Sequence, residues 1–252
     1  MPDQSYALSI DSVSKNFGGI RAVRSVSFNV PVGERRALIG PNGAGKTTLF
    51  NTVAGELIPN EGSIHFFGAD ITKKSVQKRA NLGLGRTYQI SQLFLNLSVE
   101  ENLYLACSGG ATKAFSFFRP WKNNTVEREW VREVADIVGL HDYLFSTVSE
   151  LSHGLQRQLE VGMALAMRPK LIMLDEPAAG LSPSERLILT GIIKKLPREV
   201  TLILIEHDME IVLDIADMIT VMYHGSVIAE GNPKEIRSNA EVQKVYLGSS
   251  YV

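Results

Sequence analysis

Cysteine is almost absent from this sequence, since Cys107 is the one cysteine in 252 residues. A single thiol excludes a disulfide within the chain and a zinc site built from several cysteines. An excess of either charge is also missing, because 26 Lys and Arg residues stand against 27 Asp and Glu residues and the net charge is -1. A broad basic surface for nucleic acid is therefore not expected.

Long apolar runs are missing as well, although 44% of the residues are hydrophobic. No run approaches the roughly 20 residues that a helix needs to span a bilayer. Residues 1–5 are polar and lack the pattern of a signal peptide, and the sequence has no internal repeat and no low-complexity segment. We therefore expect a soluble, cytosolic protein that reaches a membrane only through a partner.

A phosphate-binding loop is the clearest motif that is present. Residues 40–47 read G-P-N-G-A-G-K-T and fit the pattern G-x-x-x-x-G-K-[ST]. The apolar residues 37–39 predict a buried strand before the loop, and residues 47–50 predict the first turn of a helix after it. In this context, glycines let backbone N–H groups converge on an anion, and the helix N-terminus adds about half a positive charge. The predicted nucleotide-binding residues are Gly40, Pro41, Asn42, Gly43, Ala44, Gly45, Lys46, Thr47 and Thr48.

Two further apolar runs end in polar residues. Residues 171–174 are followed by Asp175 and Glu176, and residues 202–205 are followed closely by His207. Such runs predict parallel strands buried on both faces, and ligands of open α/β sheets bind at the carboxyl ends of these strands. Because neighbouring residues of a strand point to opposite sides, one carboxylate can face Mg²⁺ while the other faces an attacking water.

The N-terminal part of the chain predicts antiparallel strands at residues 7–13, 25–30 and 63–67, because polar and apolar residues alternate there. Residues 15–19 predict a turn that exposes Phe17. Two interpretations of Phe17 stay open, an ordinary aromatic at the end of a strand and a stacking surface for a nucleobase.

The middle of the chain, residues 98–168, predicts mostly helix, with Ser152 as the N-cap of one helix. We interpret His153 as a solvated histidine, since no second metal ligand lies near it in the sequence. The aromatic and basic segment 115–121 is interpreted as a loop pinned down by its aromatic side chains. Its alternative is a docking patch for a membrane subunit or for lipid headgroups.

The motifs in this order resemble the ATP-binding subunit of ABC transporters over nearly the whole chain. The resemblance implies an α/β fold, with a P-loop NTPase (RecA-like) core, an antiparallel β subdomain and an α-helical subdomain. The core and the β subdomain would comprise about residues 1–89 and 166–252, and the helical signature subdomain about residues 90–165.

The resemblance also implies which residues contact the nucleotide outside the loop. Phe17 would stack on adenine. Gln89 would sense Mg²⁺ and water and couple to the membrane subunit. Residues 151–155 correspond to the signature motif, in which Ser152 and Gly154 would contact ATP at a helix N-terminus.

The catalytic roles follow from the same resemblance. Glu176 would polarise the attacking water, and His207 would hold that water and the γ-phosphate. Asp175 and Thr47 would position Mg²⁺, while Lys46 would neutralise the phosphates. The expected catalytic residues are thus Glu176, His207, Lys46 and Gln89, and the expected metal ligands are Thr47, Gln89 and Asp175.

Some motif residues depart from the common family pattern. His153 stands in place of a glycine, Leu155 in place of a glutamine, and Ser182 in place of the aspartate of the D-loop. The L-S-H-G form, the P-A-A-G-L after the two carboxylates and the Y-L-G tail are similar to the ATP-binding subunits of branched-chain amino acid importers. Urea or short-amide importers and lipopolysaccharide exporters share several of these features and stay as alternatives.

The implied function is ATP hydrolysis that powers an importer for branched-chain or other hydrophobic amino acids. The expected partners are transmembrane permease subunits, a second ATP-binding subunit, identical or different, in a head-to-tail dimer, and indirectly a periplasmic or extracellular solute-binding protein. Nucleic acid is not an expected partner, and the expected location is the cytoplasmic face of the inner membrane. Two other classes of protein are a non-transport ABC ATPase and a small-molecule kinase. A small-molecule kinase would not explain residues 152–154 or His207.

Overall fold

The computed structural model describes residues 5–87, 93–109 and 125–248. Those up to Arg79 and from Arg198 onward form one compact unit, and those between Ala80 and Pro197 form a second. The strands are β1 (Tyr6–Phe17), β2 (Ile20–Pro31), β3 (Arg35–Ile39), β4 (Glu61–Phe66), β5 (Ala69–Asp70), β6 (Leu84–Arg86), β7 (Leu171–Asp175), β8 (Thr201–Ile205), β9 (Met218–Tyr223) and β10 (Ser226–Gly231). The helices are α1 (Lys46–Ala54), α2 (Val76–Asn81), α3 (Val99–Gly109), α4 (Thr125–Ile137), α5 (His153–Ala166), α6 (Pro183–Lys195), α7 (Met209–Ile215), α8 (Pro233–Ser238) and α9 (Ala240–Gly248).

An antiparallel four-stranded sheet in the first unit has the order β2-β1-β4-β5 and confirms the predicted β region. Val26, Phe28 and Val30 are buried on one face of β2, as their alternation with polar residues indicates. The turn predicted for residues 15–19 is wrong in its extent, because β1 continues to Phe17. Pairing with β2 supplies the hydrogen bonds that keep residues 15–17 in the strand. The local composition of the sequence does not reveal that pairing.

A second sheet of the first unit places β3 between β8 and β9, both of which run parallel to it, and β10 pairs antiparallel with β9. All residues of β3 and β8 are buried, which explains their apolar runs. Arg35 and Arg36 are the charged exceptions within β3. The guanidinium of Arg36 donates to Glu34, Thr220 and Glu230, so this buried charge is paired and hydrogen-bonded.

The second unit contains the parallel pair β6 and β7 and most of the predicted helical region. Trp130 of α4 ties this helix to α5, since its indole N–H donates to the Ala166 carbonyl over 3.0 Å. Gly162 of α5 lies close to Val138 and Leu103, because a Cβ at this position would come within 3.1 and 3.2 Å of their methyl groups. The helices of this unit therefore pack closely around α5. The segment 115–121 lies outside the described residues.

The described part of the chain contains no helix that is long and apolar enough to cross a membrane. The division of the chain near residues 90 and 165 into a core and a helical signature subdomain stays a prediction.

Arg79 is a buried charge at the end of α1 that the sequence does not predict. Its side chain is 1% exposed, and its guanidinium donates to the carbonyls of Thr52 and Val53 in the last turn of that helix. It also donates to the carbonyls of Thr72 and Lys74. Burial lowers the pKa of Arg79 to about 10, which leaves the side chain charged at neutral pH. A positive charge at this end of a helix complements the helix dipole.

Replacing Arg79 by methionine should lower the free energy of unfolding by about 3 kcal/mol, because buried carbonyls lose charged donors. Urea denaturation measures this loss. Lys78→Met is the matched control, since it removes a positive charge from an exposed position of the same helix and should cost no more than about 0.5 kcal/mol. Equal losses in the two variants would contradict the assigned role of Arg79.

Candidate functional site

The phosphate-binding loop has the predicted strand–loop–helix geometry, because β3 leads into it and α1 follows it. Gly45 is the N-cap of α1 with a positive φ of 101°, and having no side chain it cannot cap the N–H groups of the first turn. These N–H groups point out of the helix and are available to an anion. The Lys46 ammonium lies beside them and donates to the Gly40 and Pro41 carbonyls over 2.6 and 3.2 Å.

Backbone contacts hold the other residues of the loop. The Ala44 amide donates to the Pro41 carbonyl over 3.1 Å, and the Ala44 carbonyl accepts the Gly225 amide over 2.9 Å. Asn42, Gly43 and Thr47 are exposed, and the Thr48 carbonyl accepts the Thr52 hydroxyl inside α1. The loop is thus fixed through its backbone, while the Thr47 hydroxyl belongs to an exposed residue.

Gly40 is a position that a side chain cannot occupy. Its φ is 150°, and a Cβ placed there would lie 2.2 Å from the Met222 carbonyl oxygen of β9. Because backbone atoms form both sides of this contact, neither can move away by a change of rotamer. The close approach of the loop to β9 therefore requires glycine.

Phe17 is the last residue of β1 and is 47% exposed. The Lys15 ammonium lies 5.5 Å from the centre of its ring and donates to the Ile58 carbonyl. Phe17 is therefore both a strand-end aromatic and an exposed ring with a cation beside it. Its stacking on adenine stays a prediction.

The carboxylate pair lies where the sequence predicts it, in the second unit. Asp175 is the last residue of β7 and is 3% exposed, and Glu176 follows at the carboxyl end of the strand. Glu176 has a positive φ of 46°, which is unfavourable for a residue with a side chain. Backbone strain of this kind concentrates at functional sites, so it supports the interpretation of this residue as functional.

The helix N-terminus predicted at Ser152 is present, and the Ser152 hydroxyl accepts the Leu155 amide at the start of α5. The Gly154 N–H donates over 3.2 Å to a carboxylate oxygen of Glu185 in α6. A Cβ on Gly154 would lie 2.5 Å from that oxygen. An anionic group is therefore bound at one of the two residues that we predicted to contact phosphate.

Glu185 also forms the capping box of its own helix. Its carboxylate accepts the amide and the hydroxyl of Ser182, the N-cap residue, over 2.9 and 2.6 Å. These hydrogen bonds, together with that from Gly154, hold the pKa of Glu185 below its usual value. The sequence reasoning missed Glu185, although the spacing S-x-x-E from Ser182 is a capping-box signal. His153 is exposed, as predicted.

His207 lies just beyond β8, and its side chain is 63% exposed. Its backbone N–H donates over 3.3 Å to the carboxylate of Glu206, which is 1% exposed. The His207 Nδ1 atom lies 3.9 Å from an oxygen of the same side chain, so a buried carboxyl group lies beside the exposed imidazole. We did not single out Glu206 from the sequence, because a carboxylate at the end of an apolar run does not reveal that it is buried.

Each unit carries part of the predicted site. Lys46, Thr47 and His207 belong to the first unit, whereas Asp175, Glu176, Ser152 and Gly154 belong to the second. Gln89 lies outside the described residues.

The donor groups suit magnesium that arrives with a nucleotide. Within residues 5–87, 93–109 and 125–248, no group of three or more His, Cys, Asp or Glu side chains could hold a metal by itself. A nucleotide-bound Mg²⁺ does not need such a group, since it takes only one or two protein oxygens in addition to phosphates and waters. The Asp175 carboxylate and the Thr47 hydroxyl are oxygen donors of the required kind.

Two family models match this sequence. One, described as ABC transporter, matches residues 23–179, and the other, described as branched-chain amino acid ATP-binding cassette transporter, matches residues 226–252. The high-affinity branched-chain amino acid transport ATP-binding protein BraF of Pseudomonas aeruginosa is 38% identical over 250 residues, which is 96% of this chain and 98% of BraF. The corresponding protein LivG of Escherichia coli is 36% identical over 255 residues, with 96% and 98% covered.

Solved structures of similar fold include the ADP conformation of an ATP-binding cassette of an ABC transporter. It has a TM-score of 0.85 and 32% sequence identity and covers 96% of this chain and 99% of that chain. A nucleotide-free cassette from an ABC transporter gives a TM-score of 0.82 at 31% identity, with 96% and 98% covered. These similarities, with the sheets and helices described above, confirm the predicted fold class.

Substitution of Gly40 by alanine should destabilise the fold much more than the same substitution of Gly43. Both glycines have a positive φ, but a Cβ on Gly43 meets nothing within 4 Å. We expect a loss of about 1–2 kcal/mol for Gly43→Ala from the backbone conformation alone. The clash with Met222 should add at least about 2 kcal/mol for Gly40→Ala. Urea denaturation of both variants measures the difference, and equal losses would show that the loop does not lie against β9 as described.

Proposed function

This chain belongs to the ABC transporter family, and on that premise we propose that it hydrolyses ATP to power an importer of branched-chain or other hydrophobic amino acids. The observation that carries the proposal is the phosphate-binding loop, with Lys46 beside the N–H groups that begin α1. The names of BraF and LivG support the amino acid specificity, and both proteins align with nearly the full length of this chain. The match of residues 226–252 to the branched-chain model supports the same specificity.

Binding of the nucleotide begins with the loop. The N–H groups at the start of α1 and the Lys46 ammonium would receive the β- and γ-phosphates, because they present positive charge at one place. Lys46 would exchange its bonds to the Gly40 and Pro41 carbonyls for bonds to phosphate. Phe17 would stack on the adenine ring through its exposed face.

Hydrolysis needs a group that accepts a proton from the attacking water, and Glu176 is proposed for this role. It follows the buried strand β7 directly, in a backbone conformation that the surrounding structure must maintain. His207 would hold the water and the γ-phosphate through its exposed imidazole.

Magnesium would be held by the Thr47 hydroxyl and the Asp175 carboxylate, with Gln89 as a further ligand. Held by these residues, the ion would supply positive charge that offsets the negative charge developing on the phosphate oxygens.

We propose that a second ATP-binding subunit completes the site through the N-terminus of its helix α5. In a head-to-tail dimer, Ser152 and Gly154 of one subunit would contact the γ-phosphate bound to the loop of the other. A ligand that takes the Gly154 amide must displace the Glu185 carboxylate, since the two are hydrogen-bonded. The second subunit would be an identical or a different chain.

An ATP-binding protein of this family works with transmembrane permease subunits. We place this chain on the cytoplasmic face of the membrane, where Gln89 and the helical region would receive the permease. A solute-binding protein would act through the permease and not through this chain. Closure of the ATP-binding dimer would then change the side of the membrane to which the permease is open.

Replacing Glu176 by glutamine should lower kcat for ATP hydrolysis about 10²- to 10⁴-fold, because the general base is lost while the shape is kept. The dissociation constant for ATP should change little, since the carboxylate acts on the water. Phosphate release and equilibrium binding measure the two quantities. Glu199→Gln, at an exposed position, is the control and should behave as wild type. Hydrolysis by Glu176→Gln at the wild-type rate would remove Glu176 from the mechanism.

An affinity pull-down of the tagged chain from detergent-solubilised native membranes tests the transport assignment. We expect multi-spanning permease subunits and a second, distinct ATP-binding subunit, identified by mass spectrometry, with an untagged strain as the control. A permease that binds only this chain would favour a homodimeric system such as an exporter. Ribosomal proteins, or no membrane protein, would contradict a role in transport.

A further inference from the structure

The Glu185 carboxylate bridges the N-termini of two helices of the second unit. One of its oxygens accepts the amide and the hydroxyl of Ser182, the N-cap of α6. The other oxygen accepts the Gly154 amide of α5 over 3.2 Å. A capping box is complete with the bonds inside its own helix. The bond to Gly154 is therefore an addition that the capping of α6 does not require.

Gly154 is covered by this side chain. The residue is buried, whereas Ser152 and His153, which precede it, are exposed. A Cβ at Gly154 would lie 2.5, 2.8 and 2.9 Å from Oε1, Cδ and Cγ of Glu185, which are the atoms nearest to that position. The Glu185 side chain thus lies directly over the start of α5, where the glycine leaves room for it.

The Gly154 amide is a favourable donor for an anion. It belongs to the first turn of α5, a helix of 14 residues. The N–H groups of a first turn have no partner within the helix, and the helix dipole favours negative charge beside them. Glu185 supplies that charge, because hydrogen bonds from Ser182 hold its pKa below the usual value and keep it ionised at neutral pH.

The proposed dimer brings a second anion to the same donor. A γ-phosphate bound to the loop of the other subunit would need the Gly154 amide that Glu185 now occupies. The two groups carry charge of the same sign and would repel each other at this distance. The amide is therefore held either by Glu185 or by the phosphate.

Release of the carboxylate leaves α6 capped. The Ser182 hydroxyl accepts the Glu185 amide over 3.4 Å, a bond that does not involve the carboxylate. Pro183 occupies the first helical position, to which its fixed φ is suited. The Glu185 side chain can thus turn away by rotation about its own bonds, without unfolding the helix.

We propose that Glu185 is an intramolecular competitor of ATP, whose carboxylate occupies the start of α5 until the γ-phosphate displaces it. Glu185 thereby raises the ATP concentration that is needed to close the dimer. The inference rests on the proposed function, because it concerns the regulation of the ATP site of that function.

The test compares wild type with Glu185→Gln, which removes the charge and keeps the length of the side chain and an acceptor oxygen. Glu185→Ala is a second variant that removes the competing group altogether. Glu235→Gln is the matched control, because Glu235 closes the same type of capping box with Asn232 in α8. Thermal unfolding of all four proteins is followed first, and the other measurements are made well below the lowest melting temperature.

The contact with the Gly154 amide can be observed by NMR. The sequence contains two His–Gly pairs, His153–Gly154 and His224–Gly225, so labelling with carbonyl-¹³C histidine and ¹⁵N glycine selects two amide resonances. His224→Asn removes the second pair and so assigns them, since asparagine tolerates the positive φ of 47° at that position. We expect the Gly154 resonance to move in both Glu185 variants and the Gly225 resonance to stay in place.

The second measurement is the ATP dependence of hydrolysis by the chain together with the subunits that co-purify with it. Loss of the charged competitor should lower the ATP concentration at half-maximal rate about three- to tenfold. The kcat at saturating ATP should stay within about twofold, because the catalytic groups are intact. A role of Glu185 in capping alone predicts no gain in apparent affinity, and Glu235→Gln should show the ATP dependence of wild type.

The two ideas fail in different ways. If wild type hydrolyses ATP but the Gly154 resonance does not move, or if both Glu185 variants need as much ATP as wild type or more, the inference is wrong and the proposed function stands. If wild type does not hydrolyse ATP, the proposed function fails, and the inference fails with it.

Discussion

The direction of backbone N–H groups at the beginning of α1 is the constraint on which the first unit depends. A site that binds phosphate through the backbone must have its donors oriented before the ligand arrives, since reorientation during binding would cost affinity. Here the orientation is set by contacts outside the loop. The Met222 carbonyl excludes any side chain at Gly40, and Gly225 donates to the Ala44 carbonyl. The strands β3 and β9 thus hold the loop through backbone atoms, which cannot be exchanged by changing side chains.

The N–H groups in the first turns of α1 and α5 have different surroundings. The N-cap of α1 is a glycine, and the cation next to it is a lysine of the same helix. The N-cap of α5 is Ser152, and the nearby Gly154 amide binds a carboxylate from α6. Because Glu185 also caps α6, the two helices α5 and α6 share one negative charge at their N-termini. Access to the Gly154 amide is therefore linked to the conformation of α6.

The parts of the site that depend on short stretches of chain could be predicted from the sequence. The loop at residues 40–47 and the strand before Asp175 are specified by glycine spacing and by a continuous apolar run. Glu206 could not be assigned, because the burial of its side chain depends on tertiary packing that a local apolar run does not reveal. The strand that ends at Phe17 could not be predicted for the same reason. Pairing of β1 with β2 extends this strand through polar residues whose local sequence predicts a turn. The helix α6 is different, because its capping box at Ser182 is a local signal that we did not use.

Helix α1, which follows the phosphate-binding loop, is stabilised by a buried charge of the first unit. It runs only from Lys46 to Ala54, and a helix of fewer than about 12 residues is marginal on its own. Its stability must therefore come from its surroundings. At its C-terminus the Arg79 guanidinium binds the last carbonyls, and the charge complements the dipole there. At its N-terminus a bound phosphate would complement the opposite end of the same dipole. The helix is thus stabilised at one end by a residue of the chain itself, which leaves the other end open to the ligand.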